Sequence, residues 1–281
     1  MALTGYMFPD SMAIGPFLEP GGKGPTSQLA CELATRLDCY VVAGYPESLP
    51  PDELPGPVSP GETEGAAGAA GAAGVAGVGG GEGGGGVGYN SAVIAGPSGV
   101  IGNYRKTFLF ETDKVWCRPG DGFGVFDLEG VGRVAVGICM DMNPRDFSAP
   151  WNAFELATHV ASVDADVLVV PMNWLDPDEN LSHDSDSSSD EEDIAHRDFM
   201  AEPSAGNLNY WAARLTPLHV GAAKGRRKDV VFVAANRCGT EEGTTFVGTS
   251  AVMLLTADPP KVHLGAYCNR GEERVMTCTI E

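Results

Sequence analysis

Apolar positions recur at helical spacing in TSQLACELATRL, residues 26–37, which predicts a helix with Thr26 or Ser27 available as its N-cap. DCYVVAGYPE follows as a strand ending in a turn. YNSAVIAGPSGVIGNYRK (89–106) reads as two strands around a Pro-Ser-Gly turn, and FGVFDLEGVGRVAVGIC as a second hairpin turning near Glu129 and Gly130. Further on, PWNAFELATHVASVDA predicts a helix, DVLVVPMNWL a strand, NLNYWAARLTPLHVGAAK a helix and DVVFVAANRCG a strand. TTFVGTSAVMLL and KVHLGAYCNRGEERVMTCTI finish the chain in strands. Helices alternate with strands while hairpins intrude, so the pattern predicts an α/β protein with mixed sheets.

Two low-complexity insertions, 51–88 and 176–196, interrupt what otherwise reads as a single domain over 1–281. The first runs into Gly/Ala repeats with little to bury; the second is Ser-rich and acidic, and both predict solvated loops. The second also accounts for much of the charge. Nine acidic residues and no Lys or Arg lie between Asp176 and Asp193, in a chain of net charge −20. That balance argues against nucleic acid as a partner, because phosphates would be repelled. No apolar run is long enough to predict a membrane span. Seven cysteines without regular spacing fit reduced thiols and a cytoplasmic protein better than a disulfide framework. Their spacing suggests no metal site, and no cofactor is expected.

Within this frame three segments place reactive groups at strand ends. In VAVGICMDMNPRDF a small apolar run ends on Cys139, where ligand sites of α/β sheets tend to lie. This allows a nucleophile as well as a packing thiol. Lys106 directly follows a strand in GNYRKTFLF, a position equally suited to a solvated edge residue. VAANRCGTEEGTTFVGTSAV is polar and Gly-rich after another strand, with Asn236, Arg237 and Glu241 candidates for a closing loop or a structural ion pair.

YRKTFLF, GICMDMNPRDF, PMNWL and NRCGTEEGTTFVGTSAV occur here in an order that resembles the carbon–nitrogen hydrolase (nitrilase) superfamily. ALTGYMF, FLEP, AGYPE, NYRKTFLFETDK and NYWAARLTPL are similar to its fungal protein N-terminal amidase branch, and the likeness runs from residue 1 to about residue 255. The resemblance implies a four-layer α-β-β-α sandwich and a Glu–Lys–Cys triad. Cys139 would be the nucleophile, Lys106 would stabilise the oxyanion, and the backbone N–H of Met140 would be the second oxyanion donor. The implied reaction is deamidation of N-terminal Asn or Gln on proteins or peptides through a thioester. Its alternatives are a small-molecule amidase or nitrilase and a non-catalytic domain.

Two departures from the family pattern stand out. The triad glutamate lies in a segment that would precede Met1, together with the first strand–helix–strand unit, so exposed sheet edges and low stability are expected. Eight residues after the lysine, where relatives place a supporting glutamate, Lys114 stands, with Glu111 and Asp113 nearby. Binding an N-terminal residue calls for acidic or carbonyl groups around its α-ammonium. Asp141, Asp146 and Glu47 are the candidates for that role, with Tyr6, Asn173 and Trp174 as walls or hydrogen-bond partners. Asp141 serves equally well as a cap on the turn after Cys139, and Glu47 as part of a structural turn.

Overall fold

The computed structural model describes residues 1–53, 86–178, 197–220 and 228–280. The two predicted insertions fall almost wholly on residues 54–85 and 179–196, outside the described residues. Strand β1 (Val41–Ser48), β2 (Gly88–Gly96) and β3 (Gly99–Arg105) form one three-stranded sheet in the order β1-β2-β3. Both of its pairings are antiparallel. The second sheet takes β4 (Gly124–Leu128), β5 (Gly132–Val136), β6 (Val167–Met172), β7 (Val230–Asn236), β10 (Ala251–Ala257) and β11 (Pro260–Tyr267), in the order β11-β10-β7-β6-β5-β4. Only β5-β6 and β6-β7 are parallel. Mixed character, expected of both sheets, therefore belongs to this sheet alone: its parallel pairs are joined through helical segments, whereas in the first sheet β2 and β3 are joined by a tight turn and β1 also pairs antiparallel. A small ribbon, β8 (Cys238–Glu241) with β9 (Thr244–Val247), stands apart.

All nine residues of β2 are buried, because this strand is central and covered on both faces. Its side chains divide by the period of two. Ala92 and Ile94 join the large core with Val134, Val136, Leu168, Val170 and Phe232 of the six-stranded sheet. Val93 and Ala95 face the other way, against Ala30 and Ala34 of the helix Pro25–Leu37. Alanines four apart let that helix lie close on the sheet. Its N-cap is Gly24 with Pro25 at the first helical position, not Thr26 or Ser27. Thr26 instead donates both its N–H and its hydroxyl to the Glu19 carboxylate, at 2.8 and 2.6 Å. On the outer face of the large sheet the helices Glu155–Ser162 and Ala205–Arg214 bury Val160 and Trp211, completing the α-β-β-α layering.

Two details depart from the predicted pattern. Residues 272–280 form no strand, although the last segment was expected to end in one. The outer edge of β1, expected to lie open, is partly hydrogen-bonded: Ala2 N–H donates to the Gly44 carbonyl at 2.7 Å, and Glu19 N–H to that of Pro46 at 2.8 Å. Arg118 spans the two feet of the first insertion, with Nε on the Gly86 carbonyl (3.2 Å) and Nη2 on the Glu53 carbonyl (3.5 Å).

Candidate active site

The carboxyl ends of the parallel strands bring the candidate residues together, as expected for an α/β sheet. After β5 the chain turns through Gly137 and Ile138 into a short 3-10 turn, Cys139–Met142. Cys139 has φ +43, a left-handed conformation unusual for a residue with a Cβ. Asp141 fixes this elbow. Its carboxylate accepts the N–H of Ile138 (2.7 Å), the N–H groups of Thr107 (3.1 Å) and Phe108 (2.7 Å), and the Tyr104 hydroxyl (2.7 Å). With four donors already on two oxygens and no exposed surface, Asp141 ties the cysteine turn to the strand end that carries Lys106. Arg214 braces the other side, donating through Nε to the Met142 carbonyl at 2.7 Å and pairing with Glu155 at 3.2 Å.

Lys106 emerges from β3 into the interior, fully buried. Its Nζ pairs with Asp113, also fully buried, and lies 5.8 Å from the centre of the Tyr6 ring. Asp113 further accepts Asn90 Nδ2 and the Phe110 N–H, each at 2.9 Å. Burial would lower the Lys106 pKa, but the negative charge of Asp113 and the thiol of Cys139 hold it above the ordinary lysine value. Burial pushes the Cys139 thiol up, against the pull of Lys106 and of the Asn173 backbone N–H, while Asp113 adds to the rise. Lys114, the residue that breaks the family pattern, points outward to Glu111 (2.8 Å) and Asp146 (3.5 Å). The inward acidic partner of Lys106 is therefore Asp113, seven positions on rather than eight.

Cys139 and Met140 line a cavity of about 510 Å³. Phe110, Phe147, Trp174 and Tyr210 give it aromatic walls, and Asn143, Asn173 and Asn207 supply polar groups. Of the expected binding residues, Asn173 and Trp174 line this cavity, and Asp141, Glu47, Asp146 and Tyr6 lie elsewhere. Asp141 is consumed by the elbow. Glu47 accepts Arg105 (2.6 Å), Ser91 Oγ (2.6 Å) and Asn103 Nδ2 (2.6 Å), which locks it inside the three-stranded sheet. Asp146 is exposed, and Tyr6 covers Lys106 instead of lining the cavity. Among the described residues no charged side chain contributes to the lining.

Asn143, Asn207 and Tyr210 were missed as site residues. Tyr210 and Asn207 lie on a helix whose apolar spacing reads as packing, and Asn143 was noted only as part of a motif. Tyr210 donates to Asn143 Oδ1 at 2.6 Å. Arg237 forms an ion pair with Glu241, which accepts the Tyr6 N–H at 3.0 Å, and Asn236 Oδ1 accepts the Trp174 N–H at 2.8 Å. These three residues hold the loops around the cavity together. Among the described residues no cluster of His, Cys, Asp or Glu is placed to hold a metal, and no helix is long and apolar enough to cross a membrane.

Residues 1–153 match the family model described as carbon-nitrogen hydrolase. A Schizosaccharomyces pombe relative named protein N-terminal amidase is 30% identical over 278 residues, covering 94% of this chain and 79% of the relative. The crystal structure of an N-terminal amidase with an Asn-Glu-Ala peptide superposes with a TM-score of 0.71 at 21% identity, over 96% of this chain and 84% of that one. The same comparison with an N-terminal amidase holding a Gln-Val peptide gives 0.69 at 22% identity, with the same coverage. These two likenesses show the fold.

Proposed function

Because this chain belongs to the carbon–nitrogen hydrolase family, its chemistry is hydrolysis of a carbon–nitrogen bond, and we propose that the bond lies in the side-chain carboxamide of an N-terminal Asn or Gln. One observation carries the reading. Cys139, on a left-handed elbow, lies at an uncharged cavity and within electrostatic reach of the buried Lys106–Asp113 pair. The names of the relative and of the peptide-bound structures support the choice of substrate.

In this reading Cys139 Sγ attacks the carboxamide carbon. The carbon–sulfur bond forms as the carbonyl π pair moves onto oxygen, where the Lys106 ammonium and the Met140 N–H stabilise the negative charge. Collapse breaks the carbon–nitrogen bond. Ammonia leaves with the proton taken from the thiol, and a thioester remains. Water then adds to the thioester, and expulsion of the thiol leaves Asp or Glu at the N-terminus. A general base carries these protons, from the thiol in the first half and from the water in the second. Asp113 keeps Lys106 charged in its dry site.

Recognition of the substrate amine follows from the cavity lining. With no carboxylate among the described lining residues, the α-ammonium would rest on amide oxygens and aromatic faces. Asn207 gives its amide nitrogen to Ser204 Oγ at 2.9 Å, so its oxygen is the group to offer. Trp174 and Tyr210 supply the rings.

Ammonia release from Asn- and Gln-initiated peptides, set beside acetamide, tests the reading. Release from the peptides is expected to exceed that from acetamide and to fall by roughly 10³-fold or more in Cys139→Ala. Equal release by Cys139→Ala would sink the nucleophile assignment, and a preference for acetamide would favour a small-molecule amidase.

A further inference from the structure

Two stretches of the cavity lining, Leu175–Pro177 and Gly206–Tyr210, flank residues 179–196 in sequence. Arg270, near the end of the chain, fastens both. Its Nη2 lies 2.7 Å from Asp178 and its Nε 3.4 Å from Asp176, so the two carboxylates on either side of Pro177 share one guanidinium. Across the gap, Nη1 donates to the Pro203 carbonyl at 3.4 Å, and the guanidinium lies 4.0 Å from the centre of the Phe199 ring. The backbone adds to the join, with Arg270 N–H on the Glu202 carbonyl and Gly271 N–H on that of Met200, each at 3.2 Å. Pro203 leads directly into Ser204, which caps the helix Ala205–Arg214 that carries Asn207 and Tyr210. The seat is close-fitting. Gly248 has φ +57, and a Cβ there would come within 2.1 Å of the Arg270 carbonyl oxygen. Arg270 itself is only 6% exposed.

We infer that Arg270 is a positioning residue for substrate binding, setting the spacing between the Leu175–Pro177 wall and the helix Ala205–Arg214. This rests on the reading of the cavity given under Proposed function. Arg270 does not line the cavity; it acts through Asp176 and Asp178 on one side and Phe199–Pro203 on the other. Arginine suits the place because its planar fork reaches two carboxylates and a carbonyl at once while its face packs on an aromatic ring, which a lysine ammonium cannot do.

In Arg270→Ala the walls lose their common anchor while the cysteine elbow, held by Asp141 and Arg214, keeps its shape. The expected result is a KM for Asn- and Gln-initiated peptides raised roughly tenfold, with kcat within about threefold of the parent. Arg270→Lys should recover part of the loss, and Asp178→Asn should move KM in the same direction by less. A merely structural role would lower the active fraction and kcat and leave KM unchanged, and that outcome overturns the inference. Should Arg270→Ala fail to fold, Arg270→Lys and Asp178→Asn carry the same test.

Should the parent release no ammonia, the proposed function fails, and the wall is read without turnover by alkylating Cys139. Iodoacetamide is small and N-ethylmaleimide bulky, so a displaced wall should change the ratio of their rates by about fivefold or more while leaving the iodoacetamide rate steady. A changed ratio supports the positioning role independently of the reaction; an unchanged ratio in that case overturns it.

Discussion

A buried ammonium is costly unless a counter-charge offsets it, and here Asp113 does so from a single turn of helix, Glu111–Lys114. Lys106→Gln should act in two ways. It strands the Asp113 carboxylate, for an expected loss of about 3–5 kcal/mol in unfolding free energy. It also removes the positive charge that pulls the Cys139 pKa down against burial. The alkylation rate of Cys139, followed by mass spectrometry, should therefore rise only at higher pH than in the parent, with roughly a tenfold drop at pH 8. An unchanged pH profile would mean that Lys106 does not govern the thiol. Position at a strand end left Cys139 and Lys106 open between reactive and ordinary roles, and the family resemblance singled them out. Asp113 was not legible in the sequence, since one helical residue turns the face by about 100° and decides whether position 113 or 114 looks inward. The Phe110 N–H and Asn90, which settle that rotation, are not visible in the spacing.

Among elements, the decisive join is between the turn Cys139–Met142 and the end of β3, and Asp141 makes it. Burial pushes its carboxyl up to about 6 from the 3.8 of an ordinary aspartate, against the hydrogen bonds it accepts. The folded chain therefore holds this proton more tightly than the unfolded one. The contribution to stability is full below pH 3.8 and is lost as pH rises through about 6, a change of about 3 kcal/mol. Asp141→Asn cannot titrate and turns amide hydrogens toward N–H donors, so it should be less stable than the parent. The gap in urea unfolding free energy should be largest at the acid end and shrink by about 2.5 kcal/mol between pH 4 and pH 7. A gap that stays constant with pH would show that Asp141 does not titrate in this window. The strands and helices were legible because their apolar periods are clean. The fates of Asp141 and Glu47 were not: a carboxylate beside a reactive cysteine reads the same whether it meets substrate or backbone. Only the long-range donors, Tyr104 and Phe108 for one and Arg105 and Asn103 for the other, decide between them.

For the whole molecule, one apolar cluster runs through both sheets, so their packing and their stability are a single quantity. Leu168, fully buried near the start of β6, reports on it. Leu168→Ala should cost about 2–5 kcal/mol, and fluorescence and far-UV circular dichroism should show the same shifted denaturation midpoint. Separate midpoints would mean that the sheets unfold independently. The layered architecture was legible through the family resemblance and the β2–β3 hairpin through its turn, while the antiparallel pairing of β1 with β2 and the hydrogen-bonded edge of β1 follow from contacts distant in sequence. The Arg118 bridge between Glu53 and Gly86 has a consequence of another kind. With Glu53 and Gly86 already held together, a flexible linker grafted between them would cost only about 0.6 kcal/mol more closure entropy for each doubling of its length. An engineer could therefore graft a reporter module there without redesigning the enzyme around it.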